Sequence, residues 1–344
     1  MKSQRSHVAK LAIALSIAGL LAACGGGGGD DGGSTQPGTN PGTTNPTPTP
    51  PDSVPPSPTS PTPTYPTADG RLAAFEALNT MRIKIGVGAL QQDATLDVAA
   101  DNHLSYMKAN SVVTHTEEPA KTGFTGVNPY DQVVAAGGIK EQWIGQVATG
   151  GAPDGAECVA GFKRSVYHLQ GITSNQEKVG ISVRDNFCVI NFAVVTGAKG
   201  GGYGLAQWGG QQLAANAMAY YPSDGDSVLG TFMPAAESPN PAPDLSSAGH
   251  PIMFRVAAPD ANDVLTVSSF TLVDPNGAAV PARVLVPSNA KAGSLASAIE
   301  DANLYRGVVF LLPTQPLTAG SYTATFSGAR NGAAITKTWS FTAR

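Results

Sequence analysis

Ser165 and His168 are spaced in a way that could support nucleophilic chemistry in this 344-residue chain. A serine hydroxyl becomes a nucleophile when a histidine takes its proton and a third group orients the ring. No G-x-S-x-G elbow surrounds Ser165, and no third member is evident in the sequence. The pattern therefore argues against a serine hydrolase.

The other candidates for chemistry are two histidines and two acids. His103 falls on the apolar face of a predicted helix, which is typical of a histidine in the core. His115 is far from His168 in sequence, so spacing alone assigns neither of them a role. Glu117 and Glu118 follow His115; they could be acids of a cleft, but we expect them to be solvated loop residues.

The N-terminal cysteine belongs to a targeting signal. A basic start is followed by an apolar run at 11–21, which is shorter than the roughly 20 residues of a spanning helix and is typical of a signal peptide. The run ends in Leu-Ala-Ala-Cys, which resembles a bacterial lipobox. Residues 1–24 are therefore predicted to be a lipoprotein signal peptide, with lipidated Cys24 as the partner of the membrane. Gly25, rather than Asp, favours an outer-membrane location outside the cytoplasm.

Export also bears on Cys158 and Cys188, because exported domains can keep disulfides. We predict a bridge between them, which would contribute about 3.5–4 kcal/mol in the chain-entropy model. Two buried free thiols are the alternative. The net charge of −4 and the 13% of charged residues give no sign of a nucleic-acid partner.

The composition divides the rest of the chain into four segments. Residues 25–67 are Gly, Thr, Ser and Pro with little to bury, which predicts a disordered tether. Residues 68–200 begin with helical periodicity and end in an alternating hairpin, which indicates an α+β domain. Residues 201–245 form a Pro-rich connector. Residues 246–344 contain short strands and turn signals, which predict a small all-β, immunoglobulin-like sandwich.

The 68–200 segment resembles the CAP superfamily, also called SCP or pathogenesis-related-1-like domains. The resemblance covers about a third of the chain and implies a three-layer α-β-α sandwich. It lies in the order and spacing of these motifs: Leu78-Asn79-Thr80-Met81-Arg82 before Gly86; Leu96, Ala100, His103 and Met107 on one helix; His115; Phe162-Lys163-Arg164-Ser165-Val166-Tyr167-His168; and Val179-Gly180-Ile181.

The resemblance also implies a site. In many members two histidines and acidic residues line a central cleft that can hold a divalent metal, and His115 and His168 match the histidines. The chain departs from the family at the acid, because Gln146 stands where Glu is usual, and Glu141 lies nearby in a different register. Two imidazoles and an amide would leave zinc under-coordinated unless water completes the shell.

Three functions from different classes follow. The preferred one is a surface-tethered, non-enzymatic lipoprotein that binds a hydrophobic ligand, a glycan or a protein. The second is a metal-assisted envelope hydrolase, with zinc on His115 and His168 and with Glu141 or Glu117 as base. The third is a structural envelope protein with a vestigial cleft. The sequence identifies neither the natural ligand nor the oligomeric state.

Overall fold

The structure is a computed structural model that describes residues 52–204 and 208–344. The predicted signal peptide, the lipidation site Cys24 and residues 25–51 of the predicted tether lie outside the described residues. Within the described ranges, no helix has the length and apolar character needed to cross a membrane.

The first domain combines helices with a five-stranded sheet. Its helices are α1 (Gly70–Lys84), α2 (Ala94–Asn110), α3 (Pro129–Ala135), α4 (Gly155–Phe162) and α5 (Tyr167–Ile172). Its strands are β1 (Gln91–Gln92), β2 (Trp143–Gly150), β3 (Lys178–Arg184), β4 (Phe187–Val194) and β5 (Gly202–Tyr203). The sheet order is β1-β3-β4-β2-β5, with β4 antiparallel to both β2 and β3.

Alternation along the strands makes this domain three-layered. Ile190 and Phe192 of β4 join the core that contains residues of α1, α4 and α5. Val189 and Ala193 point the other way and join the two clusters under α2 and α3. Successive side chains of a strand face opposite sides of the sheet, so helices cover both sides. The predicted α-β-α sandwich is confirmed.

Capping and turn residues in the sequence mark where these helices begin and where the chain turns between strands. The Asp93 side chain accepts hydrogen bonds from the first backbone N–H groups of α2, and Asn128 does the same for α3 before Pro129. Asp185 and Asn186 take positive φ angles of 53° and 63° in the turn between β3 and β4. Such angles suit a tight hairpin, as predicted.

The predicted disulfide between Cys158 and Cys188 is present, with a sequence separation of 30 residues. It joins α4 to β4, and both cysteines are fully buried. Cys188 lies on the apolar face of the hairpin, where α4 covers it.

The second domain is all-β. Its strands are β6 (Met218–Tyr221), β7 (Ser227–Val228), β8 (Thr231–Phe232), β9 (Ala248–Gly249), β10 (Ile252–Val256), β11 (Leu265–Val273), β12 (Ala282–Val286), β13 (Ile299–Glu300), β14 (Val308–Pro313), β15 (Gly320–Arg330) and β16 (Ala333–Ala343). They form sheets of order β13-β12-β14-β10-β6 and β11-β15-β16-β7, and a separate β8-β9 pair. Stacking of Phe254 on Phe326, with ring centroids 3.9 Å apart, links the two larger sheets.

The structure corrects the boundary of the connector predicted over 201–245. β6 pairs with β10, and β7 pairs with β16, so both belong to the sandwich. Pro222 directly follows the edge strand β6, where a missing N–H costs no ladder hydrogen bond, and the other four prolines of the segment lie between β8 and β9. A shorter stretch, 233–247, remains between β8 and β9.

The structure also corrects the tether, which was predicted to extend to residue 67. From residue 52 the chain is an ordered arm against the first domain. Val54 donates to Gly210 O at 2.8 Å and its carbonyl accepts from Gln212 N at 2.9 Å. Further along, Tyr65 is buried and its hydroxyl donates to Asp97 Oδ1 at 2.5 Å. The prolines keep the arm extended as expected, but the residues between them supply hydrogen bonds that dock it.

A buried histidine in the second domain makes stability depend on pH. His250 donates from Nδ1 to Leu229 O at 3.1 Å, while Nε2 is buried with no hydrogen-bond partner among the described residues. Protonating Nε2 would bury a charge without an acceptor. Burial therefore lowers the pKa of His250 to about 4, against a small rise from the hydrogen bond to Leu229.

We expect the protein to lose stability as the pH falls below about 6.5. The unfolded chain binds the His250 proton near its usual pKa, whereas the folded chain does not bind it until about pH 4. The free energy of unfolding should be about 2 kcal/mol lower at pH 5 than at pH 7.5 from this group. Urea titrations at both pH values test this, and a His250→Gln variant should show a smaller difference. An equal pH dependence in the variant would contradict the assignment.

Candidate functional site

His115 lies in a network of neutral amides on the α3 side of the sheet. Its Nδ1 is 2.9 Å from Gln146 Oε1, on β2. The Gln146 amide nitrogen donates to Asn191 Oδ1 at 2.9 Å and to Gln132 Oε1 at 3.3 Å. Gln132 in turn donates to the backbone carbonyl of His115 at 3.1 Å. The structure thus brings together the predicted pair His115 and Gln146.

This environment disfavours a charged imidazole at position 115. Burial lowers the pKa of His115, the hydrogen bond with Gln146 opposes that shift, and the charge of His168 adds to it. The rings of His115 and His168 contact different partners, Gln146 and Glu237. Among the described residues, no carboxylate hydrogen-bonds the His115 ring.

His168 is held instead by a buried acid that the sequence did not single out. Its Nδ1 is 2.9 Å from Glu237 Oε1, and Glu237 is only 4% exposed. The same carboxylate accepts the backbone N–H groups that begin α5, from Val166 at 2.7 Å, Tyr167 at 2.9 Å and His168 at 3.0 Å. Glu237 therefore fixes the ring of His168, caps α5 and ties the segment between β8 and β9 to the first domain.

The contacts of Ser165 do not activate its hydroxyl as a nucleophile. Its Oγ lies 3.2 Å from His168 Nδ1, and its hydroxyl donates to Phe162 O at 3.1 Å. In a catalytic triad the serine and the acid contact opposite ring nitrogens. Here both Ser165 and Glu237 meet Nδ1, which donates to the carboxylate and has no free lone pair. His168 cannot take the Ser165 proton in this arrangement.

A cavity of about 410 Å³ opens beside His168. Its walls come from the end of β2, from α4, and from β8 with the residues that follow it. Apolar side chains predominate among them: Val113, Ala148, Ala152, Phe162, Phe232 and Met233. The polar groups come from His168, Ser165, Arg164, Glu157 and Glu237, and from the hydroxyls of Thr149 and Thr231. His115 is not in the lining, so this cavity is not lined by both histidines, as the resemblance implied for the cleft.

Two acids differ from their predicted places. Glu141 is exposed before the start of β2, at the opposite end of that strand from the cavity, so it does not substitute for the acid missing at Gln146.

Glu117 is buried rather than solvated: His103 Nδ1 lies 2.8 Å from its Oε1, and Thr125 N donates to its Oε2 at 2.5 Å. Burial alone would raise the pKa of Glu117, but these hydrogen bonds outweigh it and lower the pKa. Glu118 is exposed, as expected.

The side chains present do not fit a zinc site. Within residues 52–204 and 208–344, no three His, Cys, Asp or Glu side chains are grouped so that they could hold a metal ion. Among the described residues, the His115 ring hydrogen-bonds only to the Gln146 amide, and the Glu237 carboxylate beside His168 already accepts three backbone N–H groups. Zinc in proteins takes at least three protein ligands. We therefore derive no metal-dependent step for His115 and His168.

The sequence of residues 75–197 matches the model of the CAP family, described as the cysteine-rich secretory protein family. These residues form a CAP domain. The matched range contains α2 to α5 and β1 to β4, including His115, Gln146 and His168. Glu237 lies outside the CAP domain, so one wall of the cavity comes from a segment that the family model does not include.

Three solved structures are similar to parts of the chain. An extracellular protein containing an SCP domain from Bacillus anthracis has 20% identity and a TM-score of 0.32, over 35% of this chain and 39% of that one. An outer surface protein from Borrelia burgdorferi has 18% identity and a TM-score of 0.32, over 38% of this chain and 95% of that one. The copper resistance protein PcoC from Escherichia coli has 15% identity and a TM-score of 0.22, over 36% and 95%. This chain spans about 39% of the length of the Bacillus anthracis protein. No curated protein matches the chain.

Proposed function

We propose that this protein is a non-enzymatic binding module, exported and held at the cell envelope by lipid on Cys24, that takes a small, largely apolar ligand in the cavity beside His168. The observation that carries the proposal is the cavity itself. Its volume of about 410 Å³ lies in the range of about 300–1,000 Å³ of small-molecule sites, and its walls combine many apolar side chains with a few polar ones.

The positions of the polar groups favour binding over turnover. His168 is oriented by Glu237 through Nδ1, so we expect the other ring nitrogen, Nε2, to contact a ligand. Arg164 and Glu157 lie on the same lining. A ligand with an apolar body and one polar end would bury the body against Phe162 and Phe232 while its polar end meets these groups.

The hydrolase alternative lacks parts in the described residues. Ser165 has no base, His115 has no acid, and the residues do not group into a metal site. The purely structural alternative predicts no ligand at all. Export is supported by the signal-peptide pattern at 1–24 and by the Cys158–Cys188 bridge, since disulfides persist outside the reducing cytoplasm.

A charge placed at the mouth of the cavity should weaken the binding of a probe with a long apolar chain. Met233 lines the cavity and is 51% exposed, so Met233→Asp changes the lining without opening the core. Binding of cis-parinaric acid, followed by its fluorescence, should weaken at least about ten-fold, because a carboxylate must be desolvated against the probe. Ile299→Asp is the matched control, since Ile299 is 42% exposed and lies outside the cavity.

Two results would count against the proposal. If the wild type does not bind the probe, or if Met233→Asp binds it as well as Ile299→Asp does, the cavity is not a ligand site. Steady hydrolysis of p-nitrophenyl butyrate that is lost in His168→Ala would instead support the hydrolase.

A further inference from the structure

A second concave site lies elsewhere on the molecule, where three segments of the chain meet. We call it the tryptophan groove; its volume is about 560 Å³. Its lining consists of Asp52 and Ser53 of the arm, Trp143, Gly197, Lys199, Trp208 and Gly209 of the first domain, and Pro259, Asp260 and Ala261 of the second domain. It shares no residue with the cavity beside His168.

Two of the three tryptophans of the chain line this groove. Trp208 is 39% exposed, which is unusual for so large an apolar ring, and Trp143 is half-buried. The third, Trp339, is 3% exposed in the core of the second domain, and its indole N–H donates to Pro222 O at 2.8 Å. An exposed indole beside a second one in a concavity points to recognition of a ligand.

The walls of the groove are held in place by close backbone contacts. A Cβ at Gly197 would lie 2.0 Å from Asp52 O, and one at Gly209 would lie 2.3 Å from Thr196 O. Asn175 also donates to the backbone carbonyls of Trp208, at 3.2 Å, and Gly209, at 2.8 Å. The arm and the Trp208 backbone are thus fixed against the first domain, so the groove is preformed rather than made by a loose loop.

The chemistry of the lining selects among ligand classes. Trp143 and Trp208 offer apolar faces, while Asp52, Asp260 and Lys199 add two carboxylates and an ammonium. Asp52 and Lys199 lie 3.7 Å apart at the exposed rim of the groove, and a wholly apolar ligand would make no use of this pair or of Asp260. A nucleic acid would be repelled by the carboxylates. A small cation would be repelled by Arg306, which lies over the Trp208 ring at 5.3 Å, and by Lys199 in the lining.

We propose that the tryptophan groove binds a saccharide, independently of the ligand proposed for the cavity beside His168. A pyranose has one face of C–H groups with partial positive charge, which suits the negative face of an indole. Its hydroxyls donate to carboxylates such as Asp52 and Asp260 and accept from Lys199. Both kinds of group are present in this groove.

The test measures binding of three trisaccharides, chitotriose, maltotriose and cellotriose, to the full chain by titration calorimetry. They differ in linkage and substituents, so together they sample the class. At least one should bind, and Trp208→Ala should weaken it at least about ten-fold, while Trp208→Phe keeps part of the affinity because an aromatic face remains. Ile299→Ala serves as the matched control outside the groove.

Fluorescence gives a second readout on the wild type. Saccharide stacking should change the emission of the groove tryptophans, whereas buried Trp339 contributes a constant background. The proposal is overturned if none of the three trisaccharides binds at up to about 10 mM. It is also overturned if Trp208→Ala binds as the wild type does with an unchanged melting temperature, or if choline binds while the sugars do not.

Discussion

Replacing both cysteines in the variant Cys158→Ala/Cys188→Ala should lower the free energy of unfolding by about 3–4 kcal/mol. The bridge closes a loop of 30 residues, and without it the unfolded chain regains the conformational freedom that the loop removes. Both sulfurs are fully buried between α4 and β4, so the substitution also removes some packing. Urea denaturation of the oxidised protein and the double variant measures the difference.

The single variant Cys158→Ala is the useful control for this prediction. It also lacks the bridge and should lose nearly as much stability as the double variant. The difference between the two variants then measures what the second cysteine side chain contributes apart from the covalent link. Equal denaturation midpoints for the wild type and the double variant would show that the loop does not stabilise the fold.

Removing the Glu237 carboxylate should lower the free energy of unfolding by about as much as removing the disulfide. In Glu237→Ala, three backbone N–H groups of α5 and the Nδ1 of His168 lose an acceptor in a buried place. Each hydrogen bond to a charged group contributes about 1.5–3 kcal/mol, and water can replace only part of them, so we expect a loss of about 3–5 kcal/mol. The melting temperature and the urea midpoint report it.

Two further variants serve as controls for the Glu237→Ala prediction. Glu237→Gln keeps one acceptor oxygen and should lose less than Glu237→Ala. Glu141→Ala removes a glutamate that is exposed, and it should change stability by less than about 0.5 kcal/mol. Similar losses for Glu237→Ala and Glu141→Ala would mean that the Glu237 contacts do not contribute to folding.

Features set by local pattern were predictable from the sequence. Alternation through Cys188, Ile190 and Phe192 gave one buried face of a hairpin, and export gave a reason for Cys158 to pair with Cys188. The same alternation explains the three layers. The Asn331-Gly332 pair is a typical signal for a tight hairpin; it lies between β15 and β16, and Asn331 has the positive φ of 50° that such a turn needs.

Features that depend on distant contacts were not predictable. Glu237 lies 69 residues beyond His168 in a Pro-rich stretch, and no local pattern marks it as a cap. The composition of the arm predicts a tether because its prolines offer little to bury. Its docking depends on contacts such as Ser57 N to Gln211 Oε1, which are 154 residues apart. The burial of Glu117 depends in the same way on His103.

The docked arm has a mechanical consequence for the proposed anchor. If Cys24 carries the lipid, the spacer between membrane and folded body runs from 25 to 51, and its reach is at most on the order of 90 Å. Tension along that spacer would be borne first by the backbone hydrogen bonds of Val54, which flank Gln211, before it reached the domain cores. Pulling the arm away would carry off Asp52 and Ser53, so a strained anchor would open one wall of the tryptophan groove while the disulfide-linked domain stayed folded.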